Sequence, residues 1–143
     1  MKFQIVIIFI VILITQPINS QVTDSLKYTV LKATEFFQKF QSTPNSVLID
    51  VRDSKDFRKA RIKGAINMPF PITGQYLSDT SIINPGKSLF IYCYAGVRSR
   101  KSAVIFYDKG FRDLYSLEGG FMSWKSKKMP VDRKRRKGLT PNA

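Results

Sequence analysis

The sequence contains no histidine and one cysteine, and it sets only 10 acidic residues against 24 basic ones in 143. Each shortage closes off some chemistry. Without an imidazole, neither a Cys-His nor a Ser-His-Asp pair can form, so any nucleophile must be activated by other means. One thiol and no histidine cannot supply a tetrahedral zinc set, so no metal and no cofactor are expected. Cys93 has no partner within the chain for a disulfide. The scarcity of acids gives a net charge of +14, much of it late in the chain: residues 125–137 hold eight basic residues and one acid. That stretch lacks interleaved aromatics for base stacking, so nucleic acid is not an expected partner. It reads as a solvated tail able to make weak contacts with an anionic surface.

Long apolar runs are also scarce, and the longest lies at the start of the chain. Residues 1–20, MKFQIVIIFIVILITQPINS, carry a lysine at position 2, ten unbroken apolar residues from Ile5 to Ile14, Pro17 and a small residue at Ser20. Ten helical residues rise about 15 Å, roughly half of a ~30 Å hydrocarbon core, which suits a signal peptide better than a membrane anchor. The expected organisation is a signal peptide over 1–20, one folded domain over 21–131 and a basic C-terminal tail over 132–143. The expected location is therefore the periplasm or the extracellular space.

Past the leader, strand-like and helix-like segments alternate, the pattern of an α/β domain with a largely parallel sheet. Strands are predicted at 28–32, 47–50, 65–68, 88–93 and 113–117. Helices are predicted at 33–41, where Phe36, Phe37 and Phe40 recur at helical spacing, as a short charged helix after Asp53, and at 99–110 with Gly110 as its stop. Residues 71–86 read as a loop around a short helix.

The single cysteine ends the most apolar strand and precedes a loop and a helix, which is where open α/β sheets bind ligands. In the loop CYAGVRS, Gly96 permits a turn that directs successive backbone N–H groups inward. Those donors, the positive end of the following helix and Arg98 stabilise a thiolate without histidine. Cys93 is thus the candidate nucleophile, and Tyr94, Ala95, Gly96, Val97, Arg98 and Ser99 are the candidate substrate-binding loop.

Three motifs in order carry a family resemblance. VLIDVRDSKDFRKARIKGAINMP holds Asp50, Val51 and Arg52, the pair Asp56 and Phe57, and Gly64, Ala65, Asn67 and Pro69; YCYAGVRSRKSA follows; LYSLEGGFMSWKSKKMPV closes with Leu-x-Gly-Gly-x-x-x-Trp. The sequence resembles a single-domain rhodanese, a sulfurtransferase of the exported type. The resemblance implies a three-layer domain whose central, mostly parallel five-stranded sheet is flanked by helices. It also implies a monomer in which Cys93 takes a sulfane sulfur from a small donor such as thiosulfate and passes it to cyanide or a thiol. Asp50 and Arg52 are expected to support the structure. Where the family often has Gly-His-Ile-x-Gly-Ala, this chain has Ala60, Arg61, Ile62, Lys63, Gly64 and Ala65, a difference that bears on local packing. The alternatives are a non-catalytic sulfur carrier and, on the same fold, a phosphatase or arsenate reductase. The phosphatase loop is Cys-x5-Arg, whereas Cys93 to Arg98 is Cys-x4-Arg, a tighter ring that suits a single sulfur atom.

Overall fold

In the computed structural model the residues described are 27–70 and 83–133. The expected signal peptide, most of the 71–86 loop and the tail beyond 133 lie outside them. Among the described residues no helix is long and apolar enough to cross a membrane.

The elements follow in chain order as β1 (Thr29–Leu31), α1 (Ala33–Ser42), β2 (Ser46–Asp50), α2 (Ser54–Lys59), β3 (Ala60–Ile62), β4 (Ile66–Asn67), β5 (Ser88–Tyr92), α3 (Val97–Asp108), β6 (Leu114–Leu117), α4 (Gly120–Ser126) and β7 (Val131–Arg133). Five strands make a wholly parallel sheet in the order β1-β6-β5-β2-β4. β5 lies at its centre and all five of its residues are buried, as expected of a strand that is apolar or aromatic from Leu89 to Tyr92 and covered on both faces.

Period-two alternation along β5 sorts the core into two halves. Leu89, Ile91 and Cys93 face Ala103 and Phe106 of α3, together with Ile49, Val51, Phe111 and Leu114. Phe90 and Tyr92 face the other way, onto Ala33 and Phe36 of α1 and Phe121 and Trp124 of α4. The result is the expected three-layer α/β domain, and Cys93 belongs to the α3 side. The aromatic half is held by edge-on contacts, with Phe36 and Phe40 each 5.3 Å from the Phe90 ring, plus Tyr115 stacked on Phe90 at 4.6 Å.

Several expected boundaries move. α3 begins at Val97 rather than at 99, because Gly96 adopts a left-handed conformation (φ 92°) that turns the chain directly into the helix. The strand expected at 65–68 pairs only over Ile66 and Asn67. α4 was not anticipated, since its Gly-Gly start and seven-residue length carry little periodicity. β3 and β7 form a separate two-stranded antiparallel ribbon that was also missed. The ribbon corrects the expected tail boundary at 132: Asp132 and Arg133 pair with Arg61 and Ala60 and are part of the fold. Arg61, at the position where histidine was expected by resemblance, meets Asp132 across this ribbon at 2.5 Å and lies over the Phe57 ring.

Candidate active site around Cys93

Cys93 follows the last residue of β5 and is 1% exposed. Its Sγ accepts a hydrogen bond from the backbone N–H of Gly96 at 3.1 Å, which closes the loop over the sulfur. The thiol in turn approaches Ser99 Oγ at 3.7 Å. Of the expected loop residues, Cys93, Gly96 and Ser99 are therefore brought together inside. Tyr94, Ala95 and Val97 direct their side chains to the surface.

The loop holds this shape because α4 takes up its outward carbonyls. Phe121 N–H donates to the Cys93 carbonyl at 2.8 Å and Met122 N–H to the Tyr94 carbonyl at 3.0 Å. Carbonyls fixed outward leave the amides of the same peptides inward. Gly120 makes this contact possible: a Cβ there would stand 2.5 Å from the Cys93 oxygen and 2.7 Å from the Tyr94 carbonyl, closer than atoms can approach. Gly96 rests on Gly119 in the same way, with 3.2 Å from its would-be Cβ to the Gly119 nitrogen. The Gly-Gly pair is thus a backbone seat for the loop.

At the start of α3, Gly96 as N-cap offers no side-chain bond and the first turn contains no acid. The first amides of a helix have no acceptor within it, so these stay available to a ligand. Arg98 stands at the rim, its Nη1 3.9 Å from Asp53 Oδ1 in a solvent-exposed pair. Such a pair contributes little and yields readily to a competing anion. Arg100 turns back, and its Nε donates to the Gly96 carbonyl at 3.1 Å.

Asp50 and Arg52 lie on the opposite face of the sheet from the sulfur. Arg52 Nε contacts both Asp50 carboxylate oxygens at 3.0 Å, Nη2 reaches Oδ2 at 2.6 Å, and Nη2 also donates to the Ala60 carbonyl at 2.7 Å. The guanidinium stacks 4.1 Å from the Phe121 ring centre, and Phe121 is the residue that anchors the Cys93 carbonyl. This ion pair braces the seat of the loop from behind. Removing one member of such a buried pair typically costs about 3–5 kcal/mol through the charge left uncompensated. Tyr92, whose hydroxyl accepts Ile62 N–H at 3.1 Å, is pushed well above the usual phenol range by burial and by the neighbouring Asp50 carboxylate. It stays protonated and takes no part in proton transfer at ordinary pH.

One site residue escaped the sequence reading. Ser116, fully buried on β6, donates to Ser99 Oγ at 3.0 Å. A lone hydroxyl in the apolar run Leu-Tyr-Ser-Leu was its only signal.

The model of the rhodanese-like domain family matches residues 33–127. The chain belongs to the rhodanese-like family. Among curated relatives, the thiosulfate sulfurtransferase GlpE of Glaesserella parasuis is 32% identical over 88 residues, covering 62% of this chain and 79% of that protein. The GlpE of Shewanella oneidensis is 32% identical over 77 residues, 54% of this chain and 73% of its own. Solved structures agree on the fold. A rhodanese-related protein from Thermoplasma volcanium superposes with a TM-score of 0.62 at 22% identity, over 75% of this chain and all of that one. A Rhodopseudomonas palustris protein of unknown function, described as a possible tyrosine phosphatase, gives 0.64 at 24% identity over 83% and 96% of the two chains. The rhodanese-like match begins with α1 and runs one residue past α4, so it includes the loop and its seat but not the β7 strand of the ribbon.

Proposed function

We propose that this rhodanese-like protein is a sulfurtransferase in which Cys93 carries the sulfur. The observation that carries the reading is the Gly96 N–H on Cys93 Sγ at 3.1 Å, at the uncapped start of α3. An amide donor and a helix N-terminus both favour the anionic form of whatever sulfur stands there. The names of the GlpE relatives support the same chemistry.

In the first half-reaction the Cys93 thiolate attacks the outer sulfur of thiosulfate. The sulfur–sulfur bond of the donor breaks, sulfite leaves with the bonding pair, and Cys93 becomes a persulfide. In the second, cyanide or a thiolate attacks the outer sulfur and the Cys93 thiolate departs, ready for another cycle. Two half-reactions through one covalent intermediate require ping-pong kinetics. The first-turn amides of α3 receive the anionic outer sulfur, and Arg98, released from Asp53, draws in the donor. A ring of six residues from Cys93 to Arg98, already closed on the sulfur by Gly96, favours sulfur over a tetrahedral phosphoryl group.

Intact-mass analysis after incubation with thiosulfate tests this directly. The protein is expected to gain one sulfur atom, lose it on adding cyanide, and turn over. Cys93→Ser is expected to fold, gain nothing and be inactive. Uptake without turnover marks a carrier instead, and turnover by Cys93→Ser refutes the mechanism.

A further inference from the structure

Behind the sulfur lies a chain of hydroxyls that the mechanism above leaves unused. Ser116 Oγ donates to Ser99 Oγ at 3.0 Å, Ser99 Oγ donates to the Gly96 carbonyl at 3.0 Å, and the Cys93 thiol points at Ser99 Oγ from 3.7 Å. Both serines are fully buried. The sheet register sets Ser116 beside Ile91, two residues before Cys93 and on the same face. A buried hydroxyl pair is not needed for stability, because two apolar groups of the same shape can replace it at little cost. Ser102, one turn further along α3, bonds back to the Arg98 carbonyl at 2.9 Å as Ser99 does to Gly96; what sets Ser99 apart is that Ser116 and the thiol also meet its oxygen.

We propose that Ser116 is a positioning residue that sets Ser99 to switch its hydroxyl from the Gly96 carbonyl to the Cys93 sulfur when the thiol ionises. In the thiol form Ser99 accepts from sulfur and from Ser116 and gives its own proton to Gly96. On ionisation the thiol proton leaves to solvent, and the lone pair of Ser99 that faced it becomes free. The Ser99 proton stays on its oxygen and rotates towards the thiolate. Two contacts make the rotation inexpensive. Arg100 Nε still bonds the Gly96 carbonyl at 3.1 Å, so that acceptor is not left empty. Ser116 keeps donating to the Ser99 oxygen, which polarises the Ser99 O–H and fixes the oxygen in place. Ser99 thus touches the reacting atom, and Ser116 and Arg100 act through it.

The inference rests on Cys93 being the reactive thiol, and its test reads that thiol without any sulfur transfer. With one cysteine in the chain, the rate of iodoacetamide alkylation against pH reports Cys93 alone. Ser99→Ala is expected to move the profile upward by about one to two pH units, the equivalent of a hydrogen bond to a charged group. Ser116→Ala is expected to move it upward by about half a unit in the native background and to change nothing in Ser99→Ala, because its effect passes through Ser99. Ser116→Val and Ser116→Thr have the same shape, so Val is expected to shift the profile and Thr to keep it. The charged groups around the loop, Arg98 with Asp53, Arg100, and Asp50 with Arg52, are the same in all these variants. Equal shifts in both backgrounds, like behaviour of Val and Thr, or no shift with Ser116→Ala would each overturn the proposal. Failure to gain sulfur from thiosulfate with the alkylation pattern intact would instead count against the sulfurtransferase reading alone.

Discussion

α1 and α3 begin in opposite ways. At the start of α1, Glu35 sits in the first turn and its Oε2 accepts the Lys32 N–H at 3.3 Å, half of a capping box that also suits the helix dipole. At the start of α3 the N-cap is a glycine with no side chain to give, no acid follows, and Arg98 and Arg100 occupy the first turn, where each positive charge opposes the dipole. One helix carries an acid in its first turn, and the other begins with none beside the only thiol of the chain. α3 thus departs from the rules of stable helix design at the turn that follows Cys93, where an anion would complement the open end.

Substitutions at three positions put that contrast to the test. The largest effect is expected from Arg98→Ala, which removes the contact charge at the open end. Loss of a charge-assisted hydrogen bond of about 1.5–3 kcal/mol corresponds to a tenfold to hundredfold fall in kcat/KM for thiosulfate, with Arg98→Lys restoring only part. An unchanged kcat/KM would show that the amides alone hold the donor. A smaller and double-edged effect is expected from Val97→Asp, at an exposed position in the first turn of α3. Making α3 begin like α1 stabilises the domain by about 0.3–1 kcal/mol, visible as a rise in Tm. The same charge about 6 Å from an anionic donor in a water-like dielectric lowers kcat/KM about threefold, and salt weakens the loss. If stability and activity rose together, the trade between them would be disproved. The smallest effect belongs to Glu35→Ala, which leaves α1 uncapped: a loss of about 0.5 kcal/mol in denaturant melts and no change in turnover.

The sheet and the larger helices were legible in the sequence because hydrophobic period carries them. The run Ser88 to Tyr92 and the phenylalanines of α1 allow one reading only. Cys93 and Gly96 were legible because a thiol and a glycine after such a strand are rare and chemically specific. What escaped depends on distant partners. β3 and β7 are three residues each and exist through each other, with Arg61 opposite Asp132 some seventy positions away. The seating of the loop on Gly119 and Gly120 is a backbone-to-backbone fit that no side-chain pattern announces. The contact of Arg98 with Asp53 depends on where α2 begins, which periodicity does not fix.

The seat of the loop also bears on how such a site can change over time. The peptides of Cys93 and Tyr94 are gripped by the amides of Phe121 and Met122, while the side chains of Tyr94, Ala95 and Val97 reach solvent. Shape is therefore kept by main chain, while the side chains of these three residues stay exposed. Substitution of those three side chains is expected to leave the main-chain frame unaltered. The frame and α4 must therefore change together, whereas the three exposed side chains can change one at a time.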